Sequence, residues 1–145
     1  MKRSSKARWS GDPAAGHGEL TTQSQVLNKT QYSFNTRFAD GIGTNPEELL
    51  AASHAGCFTM AVAYALSQMK LSAEELETTA VVNFDLAKGG ITDIVLSLDA
   101  SVAGISEEKF LQVASDAKQN CLISKALAGI AISLDVHFKE IQHSI

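Results

Sequence analysis

One long apolar segment limits what this chain can fold into more than any other feature of its 145 residues. Asn45 can cap a helix and Pro46 suits its first helical position, so a helix is predicted to start there and to run to about Met69. This helix is apolar nearly all round, which is typical of a buried central helix. Many of its residues are small and would let another backbone approach closely. We therefore expect it to pack against a partner helix, for which a second copy of itself is one candidate.

The remaining sequence predicts strands with shorter helices between them. Alternating apolar residues and flanking turn residues predict strands at 19–27, 31–38, 81–86, 91–102 and 130–139. The other predicted elements are a capped turn at 72–75, a helix at 107–118 and a short helical run at 122–127. This order, β-β-α-β-β-α-β, predicts a single α+β domain over residues 1–145, with two small antiparallel sheets around central helices.

Composition excludes several classes of protein. The net charge of -4 and the pI near 5.5 argue against a nucleic-acid-binding surface. The N-terminus has no apolar signal segment, and the apolar stretch 51–66 is expected to be too short and too polar to span a bilayer. We therefore expect a cytoplasmic protein whose thiols are kept mainly reduced. Its two cysteines are then either inert core residues or a redox pair.

Cys57 is the first candidate for chemistry. It lies in the middle of the long predicted helix, where a regular helix places it on one face with Leu50 and His54. A cysteine in such a position is often only a small apolar core residue, and the same holds for Cys121. Cys121 nevertheless precedes a helical run, where amide donors and the helix dipole would stabilise a thiolate. The residues alone leave both interpretations open.

Charged residues offer partners for a reactive thiol. Arg37 is the cation that could lower a thiol pKa, if the loop after it brought it to Cys57. Glu47 and Glu48 are most simply carboxylates at a helix start. Ten residues of straight helix (57 − 47 = 10) would place Glu47 about 15 Å from Cys57, so Glu47 could join that site only through a broken helix start or from a second subunit. His54, three residues before Cys57, has too few partners for a metal site, and no metal is expected.

Three short motifs together resemble the osmotically inducible protein C family (OsmC), the sister group of the organic hydroperoxide resistance proteins (Ohr). They are FNTRF at 34–38, GTNPEEL at 43–49 and AASHAGCF at 51–58. The likeness extends from Trp9 to the last predicted strand and includes a second cysteine 64 residues after the first (121 − 57 = 64). In detail the chain resembles the OsmC branch more than its sister.

The resemblance implies an intertwined homodimer with two long central helices and active sites at the subunit interface. It also implies that Cys57 is a peroxidatic cysteine and Cys121 a resolving cysteine, assisted by Arg37 and Glu47. One position departs from the family pattern, because Leu122 stands where members often carry a proline.

The activity implied by the resemblance is the reduction of organic hydroperoxides, alkyl or fatty-acid, to alcohols. A sulfenic acid on Cys57 and a disulfide with Cys121 would be the intermediates. An external dithiol, by resemblance a lipoyl group on a protein, would reopen the disulfide, and no metal, haem or flavin is required. Apolar residues expected to line the substrate pocket are Phe34, Leu50, Phe58 and Met60.

Two other functions remain open at this point. The chain could be a non-catalytic dimer that binds an apolar ligand, or a redox-sensing stress protein that forms the disulfide without turnover. The sequence also leaves open whether Glu47 or Glu48 pairs with Arg37, and from which subunit.

Overall fold

The structure, a computed structural model, describes residues 1–141. This part of the chain is α+β, with two three-stranded sheets and several helices. The predicted fold class is therefore confirmed. The chain forms two compact units, one covering residues 1–49 and the other beginning at Leu50. The expectation of a single domain stays a prediction.

The first unit holds an antiparallel sheet in the order β1-β2-β3. Its strands are β1 (Ser5–Ser10), β2 (His17–Thr22) and β3 (Thr30–Tyr32). The predicted second strand of this unit, 31–38, is wrong after Tyr32, because the chain turns there into the short helix α1 (Phe34–Phe38).

Local capping explains why α1 is a helix. The Ser33 hydroxyl accepts the backbone N–H of Thr36, and the Thr36 hydroxyl accepts the backbone N–H of Ser33. Phe34 and Phe38 then lie one helical turn apart, with ring centroids 4.9 Å from each other. Aromatic residues spaced by four are compatible with a helix turn as well as with one face of a strand, and the capping serine decides between them.

The long helix α2 (Pro46–Gln68) begins and ends within one residue of its prediction. Its first turn is capped by Asn45, whose side-chain oxygen accepts the backbone N–H of Glu48 at 2.7 Å. By length and composition α2 could cross a membrane, so the expectation that this segment is too short and too polar is wrong. The helix has 23 residues, more than the stretch 51–66 considered from the sequence. This is weak evidence of a membrane span, because core helices pass the same test.

The prediction that α2 is buried is wrong for the single chain. One stripe at four-residue spacing is fully buried, namely His54, Phe58, Val62 and Leu66. On the other side Met60 and Tyr64 are 74% and 67% exposed. The apolar composition of α2 therefore exceeds what one chain covers.

The sheet of the second unit has the order β4-β5-β6. Strand β4 (Ala73–Asp85) pairs antiparallel with β5 (Gly90–Ala103), and β5 pairs parallel with β6 (Ala131–Ile141). The sheet is therefore mixed, which corrects the prediction of two antiparallel sheets. The crossover from β5 to β6 runs through two helices, as a parallel connection requires.

Strand β4 is longer than predicted, because pairing with β5 extends to its first residue, Ala73. The predicted capped turn at 72–75 is wrong for this reason, since cross-strand pairing outweighs the local preference of Ser72 and the glutamates after it. Strands β4 and β5 are joined by a 3-10 turn (Leu86–Lys88) followed by Gly89 in the left-handed conformation.

Two helices connect β5 to β6, namely α3 (Glu107–Asn120) and α4 (Leu122–Ala126). The core of this unit lies between the stripe of α2, the apolar face of α3 and alternate residues of β5. In β5 these residues are Ile94, Leu96, Leu98, Ala100 and Val102. Phe110 of α3 stacks on Phe138 of β6 with centroids 4.9 Å apart, which confirms the alternation predicted for the last strand.

Candidate active site

An ion pair at the start of α2 joins two of the predicted site residues. Arg37 donates its Nε–H to Glu47 Oε1 at 2.6 Å, and both belong to one chain. The Glu47 side chain is only 6% exposed and that of Arg37 is 44% exposed. A short, charge-assisted bond to a buried carboxylate fixes the direction of the guanidinium. The other oxygen of Glu47, Oε2, is buried and has no hydrogen-bond partner among residues 1–141.

The neighbouring carboxylate, that of Glu48, forms different hydrogen bonds. Glu48 accepts the hydroxyl hydrogen of Thr44 at 2.6 Å, while its backbone N–H donates to Asn45. The question left open by the sequence therefore has an answer within the single chain: Glu47 pairs with Arg37, and Glu48 stabilises the start of the helix.

The two cysteines belong to the second unit. Cys57 is partly buried on α2 and packs against the core, whereas Cys121 is 1% exposed between α3 and α4. Cys121 ends α3 and precedes the first residue of α4, so its backbone is shared by two helix termini. Both cysteines are free, and each is close enough to shift the pKa of the other thiol. The tertiary structure thus brings together two residues that are 64 positions apart in sequence (121 − 57 = 64).

Burial raises the pKa of the Cys57 thiol. A hydrogen bond to Cys121 and the negative charge of that thiolate raise it further, while the backbone N–H groups of Ile123 and Leu122 act in the opposite direction. Two neighbouring sulfurs cannot both ionise easily, so the titrations of the two thiols are linked.

Burial also opposes ionisation of Cys121, but hydrogen bonds outweigh it and its pKa is lowered. The largest of these contributions is the backbone N–H of Ser124, followed by the Cys57 thiol, the Ser124 hydroxyl and the Ile123 N–H. These causes together favour a thiolate on Cys121 over one on Cys57.

A buried histidine adjoins the cysteine pair along the sequence. His54 has no exposed surface, and its Nε2 lies 2.8 Å from the hydroxyl oxygen of Ser124, which is also buried. Burial lowers the His54 pKa, so the imidazole is neutral near pH 7. Within residues 1–141 no group of three or more His, Cys, Asp or Glu side chains is arranged to hold a metal ion.

The proposed pocket residues occupy different environments. Phe58 is fully buried in the core and Met60 is largely exposed on α2, while Leu50 is intermediate at the start of the second unit. Phe34, in the first unit, is exposed and packs on Phe38. Their role as a substrate pocket stays a prediction.

Sequence reasoning missed Ser124. The signal that could have found it is its spacing, three residues after Cys121, in an otherwise apolar run that starts a helix. His54 has the mirrored spacing, three residues before Cys57. It was considered only as a metal ligand, although a lone polar residue on a buried helix stripe needs a hydrogen-bond partner.

Comparison with known proteins identifies the family of this chain. The family described as "OsmC-like protein" matches residues 39–136, a range that holds Glu47 and both cysteines. The chain belongs to the OsmC-like family. The resemblance inferred from the motifs is thereby confirmed.

Relatives of this OsmC-like chain match from about two thirds to nearly all of its length. Peroxiredoxin OsmC of Escherichia coli (strain K12) is 40% identical over 141 residues, covering 96% of this chain and 98% of the relative. Organic hydroperoxide resistance protein-like 1 of Staphylococcus saprophyticus is 37% identical over 97 residues, covering 65% and 69%. The crystal structure of the organic hydroperoxide resistance protein OhrB of Bacillus subtilis superposes with a TM-score of 0.65 at 27% identity, covering 92% and 98%.

Proposed function

We propose that this chain is a thiol-dependent peroxidase that reduces organic hydroperoxides to alcohols. The observation that carries the proposal is the interacting thiol pair, in which Cys57 is partly exposed and Cys121 is buried beside it. A disulfide-forming peroxidase needs one thiol that a substrate can reach and a second close enough to close the bridge. The names of the relatives, a peroxiredoxin and organic hydroperoxide resistance proteins, support the same activity.

In the first step the Cys57 thiolate attacks the terminal oxygen of the hydroperoxide. An S–O bond forms, the O–O bond breaks, and the alkoxide takes up a proton and leaves as the alcohol. The sulfur loses two electrons and becomes a sulfenic acid. The thiolate of Cys57 arises when its proton passes to a Cys121 thiolate, so that the negative charge moves from one sulfur to the other.

In the second step Cys121 attacks the sulfur of the sulfenic acid. The S–S bond forms, the S–O bond breaks, and hydroxide leaves and is protonated to water. An external dithiol then reduces the disulfide by exchange and is itself oxidised. A lipoyl group on a protein is the proposed donor, and no bound metal, haem or flavin takes part.

Arg37 and Glu47 are proposed to serve the first step. Glu47 holds the guanidinium by the charge-assisted bond at 2.6 Å. An oriented guanidinium favours a thiolate and polarises a peroxide oxygen, because its N–H donors match developing negative charge. The apolar residues Phe34, Leu50 and Met60 are proposed to favour an alkyl or fatty-acid hydroperoxide over hydrogen peroxide.

We also propose that the working unit is a soluble cytoplasmic homodimer. Only 22% of the most apolar 18-residue stretch of α2 is buried in the single chain. A large apolar helix face that stays exposed is typical of an interface. Small residues along α2, such as Gly56 and Ala52, would allow a second helix to approach closely.

The test is consumption of an organic hydroperoxide by the purified protein in the presence of a dithiol, with Cys57→Ser and Cys121→Ser beside the wild type. We expect Cys57→Ser to abolish turnover, since it removes the nucleophile. Cys121→Ser should perform the first step and then stall or over-oxidise at Cys57, which mass spectrometry detects as added oxygen.

Two outcomes would overturn the proposal. Equal inactivity of the wild type and Cys57→Ser with both lipoyl and small dithiols would leave the cysteines inert and favour a ligand-binding role. A disulfide that forms once per chain but that no dithiol reopens would indicate a redox sensor.

A further inference from the structure

Two buried polar side chains connect the helix of one cysteine to the helix of the other. His54 lies on α2 three residues before Cys57, and Ser124 lies on α4 three residues after Cys121. Their side chains meet at 2.8 Å, and both are buried. Burying polar groups is costly unless they are hydrogen-bonded, and an apolar pair could fill the same space. Packing alone therefore does not explain why a polar pair occupies this position.

The direction of this hydrogen bond follows from the other imidazole nitrogen. His54 Nδ1 is buried and has no hydrogen-bond partner in the part of the chain that the structure describes. If the neutral ring carried its hydrogen on Nδ1, a buried N–H donor would be left unpaired, which is rare in proteins. A hydrogen on Nε2 leaves only an unpaired acceptor at Nδ1. In this tautomer His54 donates to the oxygen of Ser124.

With its oxygen occupied by that donor, the Ser124 hydroxyl points its own hydrogen elsewhere. Ser124 lies three residues after Cys121 at the start of α4, and hydrogen bonding from its hydroxyl is among the causes that lower the pKa of Cys121. A hydroxyl has one hydrogen to donate, and the sulfur of Cys121, at the start of the same helix, can accept it.

We propose that His54 and Ser124 are positioning residues for Cys121, with His54 donating to Ser124 and Ser124 donating to the Cys121 sulfur. The inference rests on the proposed function, in which Cys121 attacks the oxidised Cys57. The two residues hold Cys121 as a hydrogen-bonded thiolate next to the sulfur that it must attack. They touch neither the hydroperoxide nor Cys57 in this scheme.

This arrangement explains how a buried thiol can act as a nucleophile. Cys121 is 1% exposed, so water cannot solvate its negative charge. Protein donors replace that solvation, and each hydrogen bond to a charged group is stronger than one between neutral groups. Among the described residues, Cys57 is the ionisable side chain that interacts with Cys121. Without the Ser124 hydroxyl, the donors left to stabilise a Cys121 thiolate would be backbone N–H groups and the Cys57 thiol.

The first arm of the test measures the ionisation of Cys121 directly. In a Cys57→Ser background, thiolate absorbance is followed against pH for Ser124→Ala and His54→Leu. We expect the acid dissociation constant of Cys121 to fall about tenfold in Ser124→Ala, the effect of losing one hydrogen bond to a charged group. Ser124→Thr keeps the hydroxyl and His54→Gln keeps an N–H donor, so both should stay near the parent.

A matched control separates this role from loss of a buried hydrogen bond in general. Thr59 on α2 donates to Thr78 on β4 at 2.6 Å, which is a similar tie between two elements without a cysteine in it. Thr59→Val should lower the stability to unfolding and leave the titration of Cys121 unchanged. A shift in Thr59→Val as large as in Ser124→Ala would overturn the proposal.

The second arm uses one equivalent of an organic hydroperoxide and no dithiol, in the chain with both cysteines. We expect the sulfenic acid on Cys57, trapped by dimedone, to form at an undiminished rate in Ser124→Ala. Disulfide closure should be about threefold slower below the pKa of Cys121, since about tenfold less thiolate is partly offset by its greater nucleophilicity. A purely structural role would slow both steps together.

The outcomes distinguish this inference from the proposed function. If the wild type forms neither sulfenic acid nor disulfide, the proposed function fails, while the titration arm still reports on Ser124. If the wild type forms both, but Ser124→Ala matches it in titration and in closure rate, the positioning role is overturned and the peroxidase remains.

Discussion

At the scale of single residues, the predicted site residues form two pairs with opposite character, one in each unit of the chain. Arg37 and Glu47 form an ion pair whose carboxylate is nearly buried. Cys57 and Cys121 have linked titrations, in which the pKa of the buried Cys121 is lowered and that of Cys57 is raised. The bond to Glu47 fixes the orientation of the Arg37 guanidinium. Burial limits the hydrogen-bond donors of Cys121 to protein groups around it.

The role of the carboxylate predicts the effect of Glu47→Gln. A neutral amide keeps the size of the side chain but weakens the bond that orients Arg37, so kcat/KM for an organic hydroperoxide should fall about tenfold. Steady-state kinetics with a dithiol donor measure this. Glu48→Gln is the matched control, since it removes the same charge one residue along the same helix, and its kcat/KM should stay within about threefold of the wild type. Equal losses in both variants would contradict a specific role for Glu47.

At the scale of elements, α2 and β5 show how burial depends on neighbours. The same helix carries a fully buried stripe and, on its other side, exposed Met60 and Tyr64. In the second sheet β5 is flanked by strands on both edges, and its inward residues form the centre of the core. Strand β4 pairs on one edge only in the described chain and leaves Val81 half exposed.

This difference predicts that a valine-to-alanine substitution lowers the free energy of unfolding more in β5 than in β4. Val102→Ala in β5 removes fully buried methyl groups and should lower the free energy of unfolding by about 2 kcal/mol. Val81→Ala in β4 is the control and should cost less than about 1 kcal/mol, because its side chain already contacts solvent. Denaturant unfolding of both variants checks the prediction. A larger loss for Val81→Ala would mean that another surface covers β4 in solution.

At the scale of the whole molecule, the exposed side of α2 is the feature that one chain leaves unexplained. A long helix with so much apolar surface facing water would promote association. The proposed homodimer accounts for it, and a dimer also offers a partner for the buried Oε2 of Glu47, which has none among residues 1–141 of the single chain.

The dimer proposal predicts that a charge on this side of α2 dissociates the molecule. Met60→Lys and Tyr64→Lys should shift the mass measured by sedimentation equilibrium from two chains to one, because burying an unpaired charge costs several kcal/mol. Gln68→Lys, at the exposed end of the same helix, is the control and should leave the mass unchanged. A wild type that sediments as a monomer at micromolar concentration would contradict the proposal.

Much of the fold could be predicted from the sequence, where local signals act alone. The start of α2 follows from Asn45 and Pro46, and the last strand follows from strict alternation up to Phe138. Errors occurred where two local signals competed or where a distant partner decided. Residues 34–38 alternate like a strand, yet the Ser33 cap makes them helical. The start of β4 follows from pairing with β5, which no local pattern contains.

The sequence by itself determined the family to which the chain belongs and the candidates for its reactive groups, because motifs at fixed spacing are visible without coordinates. Only the tertiary structure decided which groups meet. Glu47 rather than Glu48 faces Arg37, and Ser124 meets His54 across 70 residues. Side-chain direction, burial and linked titration depend on how helices pack, and the energy of a hydrogen bond or a thiolate depends on its surroundings rather than on residue type.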